Sequence, residues 1–149
     1  MEEIELSEWT RFLARWRVAG MATVGPDGEP HACNVVFVCD DQGHLFFLSG
    51  AHSAHAAHVD ATGRAAFSVY SHGSVVQGLQ LWGRCRHVEP GSPAHAAGGR
   101  LYLECLRDEP GAEVRRHLLE TERLYCARVE WARLIDMSRG STWRGEWRR

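Results

Sequence analysis

The sequence predicts a mainly β fold with flanking helices, a six-stranded antiparallel β-barrel. Three observations lead to this prediction: apolar runs of strand length, turn sequences rich in glycine and aspartate between them, and apolar residues at helical spacing outside these runs. Closing a small sheet into a barrel removes its exposed edges. The chain has 149 residues, 44% of them hydrophobic, and no low-complexity linker divides it. We therefore expect a single domain over residues 1–149.

The first predicted element is a helix over residues 4–16. Ser7 and Glu8 stand at the beginning of the apolar run, where they are expected to cap the helix. We expect this helix to cover one end of the barrel. Its apolar residues recur at helical spacing: Leu6, Trp9, Phe12, Leu13 and Trp16.

The first three strands are predicted to form an antiparallel meander over residues 21–48. The connections, residues 25–28 and 40–43, read Gly-Pro-Asp-Gly and Asp-Asp-Gln-Gly, and such residues favour tight hairpin turns. Residues 49–60 then indicate a loop that runs into a short alanine-rich helix. The strands themselves are assigned to Met21–Val24, Val35–Val38 and Leu45–Leu48, followed after the helix by Ala65–Tyr70 and Val75–Arg84.

The C-terminal half is predicted to add two helices and a last barrel strand. The pair Gly98-Gly99 interrupts the apolar pattern of residues 93–108, so a helix is expected only in the second half of that segment. A further helix is expected over residues 111–122. The sixth barrel strand is assigned to residues 124–137, where apolar residues alternate with polar ones.

The order of these elements resembles the FMN-binding split-barrel superfamily, the pyridoxamine 5'-phosphate oxidase-like proteins, and within it the small, domain-sized members. Gly78 and Gly83 in the fifth strand match the family's Gly-x-x-x-x-Gly pattern, and the similarity is best over residues 8–90. The resemblance implies a six-stranded split barrel that forms a homodimer. It also implies FMN bound at the subunit interface and a flavin redox reaction on a small molecule.

Charge and composition limit the classes of function. All 17 basic residues are arginine, so Schiff-base chemistry on an enzyme lysine is excluded. Acidic and basic residues are interspersed, with no basic face evident before the extreme C-terminus, and we expect no nucleic-acid partner. No apolar run reaches the ~18 residues of a membrane span and the first residues are acidic, so we expect no membrane association and a cytoplasmic location. Five cysteines without Cys-x-x-Cys spacing are expected to be reduced.

The resemblance places the flavin phosphate at the loop after the third strand. Family members use a hydroxyl and one or two arginines or lysines there, and the matching positions are His52, Ser53, Ala54 and His55. The hydroxyl is kept and the strong cations are missing. A phosphate would then be held by Ser53, by helix amides, and by imidazoles whose pKa the anion would raise. The alternative is a solvent-facing alanine and histidine helix without a ligand.

Other cofactor contacts are also implied by the resemblance. The second strand contacts the flavin ring at the barrel edge, the fifth strand contributes polar or aromatic side chains, and the C-terminal segment, including Arg144, returns towards the cofactor. That segment can equally form a dimer contact or cover the barrel end. The full set of expected cofactor-binding residues is Asn34, Val35, Val36, Ser49, His52, Ser53, His55, Gln80, Trp82 and Trp143.

The histidines allow two further cofactor types, a metal ion and haem. His52, His55 and His58 recur every three residues, so two of them can share a metal, but no carboxylate partner is marked and we expect no metal site. Haem is an alternative because some split-barrel relatives bind it. The sequence thus favours an FMN-binding, oxidoreductase-like protein whose catalytic residues and substrate are not identified. The alternatives are a non-catalytic ligand-binding or sensor module of the same fold, and a relative that uses deazaflavin or haem.

Overall fold

The computed structural model describes residues 1–149, and a closed six-stranded antiparallel barrel dominates it. The strands are β1 (Glu2–Glu3), β2 (Val18–Val24), β3 (Pro30–Cys39), β4 (His44–Ser49), β5 (Arg64–His72), β6 (Val76–His87), β7 (Arg123–Asp136) and β8 (Arg144–Arg148). The barrel strands neighbour one another in the order β7-β4-β3-β2-β5-β6, and β6 pairs with β7 to close it. The predicted barrel and the meander β2-β3-β4 are confirmed.

Four helices and one 3₁₀ turn surround the barrel. They are α1 (Leu6–Leu13), α2 (Ala54–Thr62), α3 (Pro93–Cys105), α4 (Ala112–Thr121) and the 3₁₀ turn Met137–Arg139. The barrel interior holds the main hydrophobic core, and a smaller cluster fills the space between the sheet and α3. No helix is both long and apolar enough to cross a membrane.

The first helix is shorter than the apolar pattern predicts. The amides of Arg15 and Trp16 donate to carbonyl groups three residues back (3.2 and 3.0 Å), so the chain continues beyond Leu13 as a tight turn. The capping prediction for Ser7 is wrong, because the helix begins at Leu6. Instead, the Glu8 carboxylate accepts a hydrogen bond from the Glu5 amide at 3.1 Å.

The predicted interruption of α3 at Gly98-Gly99 is also wrong. The helix runs through both glycines because they lie where it packs most closely. A Cβ on Gly98 would stand 2.6 Å from the ring of Phe46, and one on Gly99 would stand 3.2 Å from Leu119. The glycines therefore allow α3 to approach the sheet and α4, and they do not end the helix.

Two strands were not predicted. β8 pairs antiparallel with the second half of β7, and β1 pairs parallel with β8. They extend the sheet beyond the barrel and place Trp147 against Trp9 of α1, with ring centroids 5.2 Å apart. The C-terminal segment thus covers the barrel end, which is one of the roles that the sequence left open.

The five cysteines are free, as predicted. Cys85 and Cys126 are buried, whereas Cys33, Cys39 and Cys105 are partly accessible. Burial raises the pKa of the Cys126 thiol to about 11, so this side chain is protonated at neutral pH.

Candidate functional site

The largest cavity lies between the middle of β3, the end of β4 and the first turn of α2, with α3 and α4 on its other side. Its volume is about 570 Å³, which falls within the range of small-molecule sites. The lining residues are Asn34, Val35, Val36, Leu48, Ser49, Gly50, Ser53, His55, Tyr102, Gly111, Val114, Arg115, Leu118 and Glu122.

Ser53 fixes the beginning of α2 at this cavity. Its backbone is extended, and its hydroxyl accepts a hydrogen bond from the Ala56 amide at 3.2 Å. The backbone amides of Ala54 and His55, the first two residues of the helix, donate to no group of the protein. Unpaired amides at a helix N-terminus carry partial positive charge. This end of α2 therefore favours an anion.

A chain of hydroxyl and imidazole groups lies beside the helix start. Ser49 Oγ stands 2.9 Å from Ser53 Oγ and 2.8 Å from His55 Nε2. Ser53 Oγ also donates to the carbonyl of Gly50 at 3.0 Å. Because Ser49 ends β4 and His55 lies in the first turn of α2, these contacts fix the strand end relative to the helix.

His55 is a neutral group at this site. Burial lowers the pKa of its imidazole, and the nearby His31 and His58 lower it further. The expectation that a bound phosphate raises the pKa of this imidazole concerns the ligand-bound protein and stays a prediction. In the free protein, His55 Nε2 contributes a hydrogen bond to Ser49 without adding positive charge.

The cavity does contain a strong cation, which sequence reasoning missed. Arg115 of α4 lines the cavity opposite the start of α2, and its guanidinium donates to the carbonyl of Pro110. Tyr102 of α3 lies beside it: burial raises the pKa of this phenol, and the Arg115 guanidinium opposes the rise. Glu122 brings a carboxylate to the same cavity, so the lining carries charges of both signs.

The structure brings together six of the ten residues expected to bind the cofactor. Asn34, Val35 and Val36 of β3 line the cavity with Ser49, Ser53 and His55. His52 is exposed in the preceding turn and does not line it.

The two residues of β6 that were expected to bind the cofactor, Gln80 and Trp82, do not line the cavity within one chain. Gln80 is exposed, because strand alternation turns Leu79 and Leu81 into the core and Gln80 outwards. Its expected contact with flavin or with a second subunit stays a prediction. Trp82 lies on the outer surface, with the Arg64 guanidinium 5.2 Å from its ring centroid. Within one chain, neither residue reaches the cavity.

Trp143 does not line the cavity either. It packs against the barrel core, and the Arg139 guanidinium lies 4.4 Å from its ring centroid. These contacts within the chain show Trp143 covering the end of the barrel.

Comparison with known proteins agrees with this fold. The family model described as pyridoxamine 5'-phosphate oxidase matches residues 6–135. No curated protein sequence matches the chain.

Several solved structures are similar to the chain. A heme-binding protein from Mycobacterium smegmatis has a TM-score of 0.79 at 15% identity, over 99% of this chain and 60% of its own. HutZ, the heme storage protein from Vibrio cholerae, has a TM-score of 0.67 at 16% identity, over 85% and 92%. A pyridoxamine 5'-phosphate oxidase-related, FMN-binding protein from Nostoc punctiforme has a TM-score of 0.65 at 18% identity, over 97% and 86%. At these identities the likeness concerns the fold alone.

Proposed function

Since this chain belongs to the pyridoxamine 5'-phosphate oxidase family, we propose that it binds FMN in the cavity at the start of α2 and uses it in a redox reaction on a small molecule. One observation carries the proposal: the capped N-terminus of α2, the hydroxyl of Ser49 and the guanidinium of Arg115 converge on one cavity. Together they provide the donors that a phosphate requires.

The phosphate end of the ligand fits the polar side of the cavity. Free amides of Ala54 and His55, the Ser53 and Ser49 hydroxyls and the Arg115 guanidinium are all donors. Glu122 opposes an anion, and its contribution depends on its distance from the bound phosphate. The donor set is compatible with FMN although the loop itself has no arginine or lysine.

The ring end fits the apolar side of the cavity. Val35, Val36 and Leu48 come from the barrel strands, and Val114 and Leu118 come from α4. Val114 is 59% exposed in the free protein, and a ring bound against it would remove that apolar surface from water. Asn34, in the middle of β3, supplies a polar side chain for ring heteroatoms.

The protein's own contribution to the reaction is binding and orientation. Bound flavin supplies the hydride or electron transfer. The valines of β3 and α4 exclude water from one side, and Asn34 and Ser49 orient polar atoms by hydrogen bonds. The Ser49 hydroxyl lies 2.8 Å from His55 Nε2, but no carboxylate is hydrogen-bonded to His55, so the cavity lacks the orienting acid of a hydrolytic triad and a redox role suits the lining better than hydrolysis.

We also propose that the protein is a homodimer. Val18 and Val24 of β2 and Tyr70 of β5 are 56%, 51% and 66% exposed on the outer face of the barrel, and the residues between them are mostly small. Such a face is suited to pairing with a second copy, with a buried area above about 2,000 Å². Pairing there would also bring Gln80 and Trp82, on the adjacent strand, towards a partner subunit. A monomer in sedimentation velocity at micromolar concentration would contradict this.

The free thiols agree with a reducing compartment, and for this reason we propose the cytoplasm as the location.

Haem is a second candidate ligand for the same cavity. A neutral imidazole, His55, lines it, and a neutral imidazole is the form that ligates haem iron. The absorption spectrum of freshly purified protein separates the candidates. Flavin bands support the proposal, a Soret band supports haem, and the absence of both from protein that also fails to take up added FMN favours a non-catalytic binding module.

A further inference from the structure

A second group of side chains near the cavity has the chemistry of a metal site. His31, Cys33 and His55 each offer one ligand atom, and these three atoms lie within 4.8 Å of one another. Two imidazoles and one thiolate are typical ligands of Zn²⁺. The histidines that sequence reasoning considered, all from residues 52–58, did not reveal this group because two of its members stand on β3.

The fold explains why these three residues meet. His31 and Cys33 are two residues apart on β3, so strand alternation places them on one face. The helix α2 packs across β2 and β3 and brings His55 to that same face. The rings of His31 and His55 stack with their centroids 6.3 Å apart and their planes 11° apart.

We propose that His31, Cys33 and His55 bind Zn²⁺, with the fourth position taken by water or an anion. Tetrahedral zinc with two nitrogen ligands and one sulfur ligand places its ligand atoms about 3.3–3.6 Å apart. Side-chain movements of about 1 Å would therefore close the site around the ion. All three side chains are partly exposed, so the ion can enter from solvent.

Hydrogen bonds around the group support a ligand role. His55 Nε2 contacts Ser49 at 2.8 Å, which leaves its Nδ1 available to a metal. Zinc-bound histidines characteristically use their other nitrogen in such a contact. The neighbouring His58 has its own partner, Thr23 Oγ1 at 2.9 Å from Nδ1, and packs edge-on against His31. His58 thus supports the group from the side without joining it.

The protonation states of the free protein are consistent with this chemistry. Burial raises the pKa of the Cys33 thiol, so the free protein holds a thiol. Binding Zn²⁺ converts it to a thiolate and releases one proton to solvent. The lowered pKa of His55 keeps that imidazole in the neutral form that can coordinate.

The test uses purified protein freed of metal and flavin, so it does not depend on whether FMN binds. Zn²⁺ is titrated in competition with a chromophoric chelator, and Co²⁺ is added separately as a spectroscopic probe. We expect one Zn²⁺ per chain and a thiolate-to-cobalt charge-transfer band. Cys33→Ser and His31→Ala should weaken Zn²⁺ binding by more than about 100-fold, beyond the roughly 10–100-fold effect of replacing a group that only hydrogen-bonds to a ligand.

The matched controls are Cys105→Ser, a partly accessible cysteine outside the group, and His52→Ala, an exposed histidine. Both should bind Zn²⁺ as the unchanged protein does. Equal affinity of Cys33→Ser and Cys105→Ser would overturn the proposal, as would the absence of stoichiometric binding. If a variant does not fold, the charge-transfer band of the unchanged protein decides whether a cysteine ligates the metal, and alkylation protection of Cys33 by Zn²⁺ identifies which one.

Discussion

Ser49 Oγ lies 2.8 Å from His55 Nε2, a contact that joins the last residue of β4 to the first turn of α2. With Ser53 Oγ a further 2.9 Å from Ser49, it fixes the position of the helix N-terminus at the cavity. The geometry of the proposed anion site thus depends on how a strand end and a helix start are held together.

Ser53 has two separable roles, in stability and in ligand binding. Ser53→Ala removes the helix cap and should lower the free energy of unfolding by about 0.5–2 kcal/mol, measured by urea denaturation. Ser53→Asp keeps a capping oxygen but adds negative charge at the phosphate position. It should retain more stability than Ser53→Ala and lose FMN. Equal FMN affinity of Ser53→Asp and the unchanged protein would contradict the assigned phosphate position.

A cation added to the first turn of α2 should strengthen FMN binding. Ala54 is exposed at the first position of the helix, next to Ser53. A charge-assisted hydrogen bond contributes roughly 1.5–3 kcal/mol, so Ala54→Arg should tighten FMN by about tenfold or more in a fluorescence-quenching titration. Ala57→Arg, also exposed but one turn further on, is the matched control and should have little effect. A similar gain in both variants would indicate non-specific attraction.

The close packing of α3 against the sheet leads to a prediction for Gly98. Gly98→Ala would improve helix propensity by about 1 kcal/mol, yet its Cβ would stand 2.6 Å from the Phe46 ring. Overpacking costs typically about 1–3 kcal/mol, so we expect a net loss of stability in thermal or urea unfolding. Gly99→Ala, whose Cβ would meet the flexible end of Leu119 at 3.2 Å, should be tolerated better. A stabilised Gly98→Ala would show that α3 can move away from the sheet.

The buried carboxylate of Asp136 should make stability depend on pH. Burial alone would raise its pKa, but hydrogen bonds from Ser138 and Gln77 and the charge of Arg139 outweigh burial and lower the pKa. A native pKa below the unfolded value of about 3.9 stabilises the fold above that pH, and this contribution is lost as the pH falls through the native pKa.

Replacing Asp136 by Asn removes this pH-dependent contribution. The difference in unfolding free energy between the unchanged protein and Asp136→Asn should therefore be larger at pH 7 than at pH 3. Asp108→Asn is the control, because that side chain is 91% exposed. A difference for Asp136→Asn that does not change with pH would contradict the assigned role of the carboxylate.

The barrel was predictable from sequence because its signals are local. Strand alternation and turns such as residues 40–43 identify the meander without reference to the rest of the chain. The short strands β1 and β8 carry no such signal, since their pairing partners define them. Gly98 and Gly99 indicated a break by propensity, whereas the close approach of Phe46 and Leu119 determines their role. Tertiary packing overrides propensity at these two positions.

The residues of the candidate site also fall into two groups: those that the local sequence indicates and those that only long-range packing brings together. Ser49, Ser53 and His55 lie within seven residues of one another, and the resemblance to a family indicated them directly. Arg115 lies on a helix about sixty residues later, and the pattern of residues 111–122 predicts that helix without showing which face meets the barrel. Cys33 and His31 reach His55 only through the packing of α2 on β3. Long-range contacts of this kind are not visible in a single sequence.

The most direct test of the proposed function is an FMN titration of the unchanged protein, Arg115→Ala and Arg116→Ala, followed by flavin fluorescence. Arg115 lines the cavity, whereas Arg116 is exposed and does not. We predict saturable binding by the unchanged protein and by Arg116→Ala, with Arg115→Ala weaker by about tenfold or more, since a charge-assisted hydrogen bond contributes roughly 1.5–3 kcal/mol. No saturable binding by the unchanged protein, or equal affinity of the two arginine variants, would contradict a flavin site at this cavity.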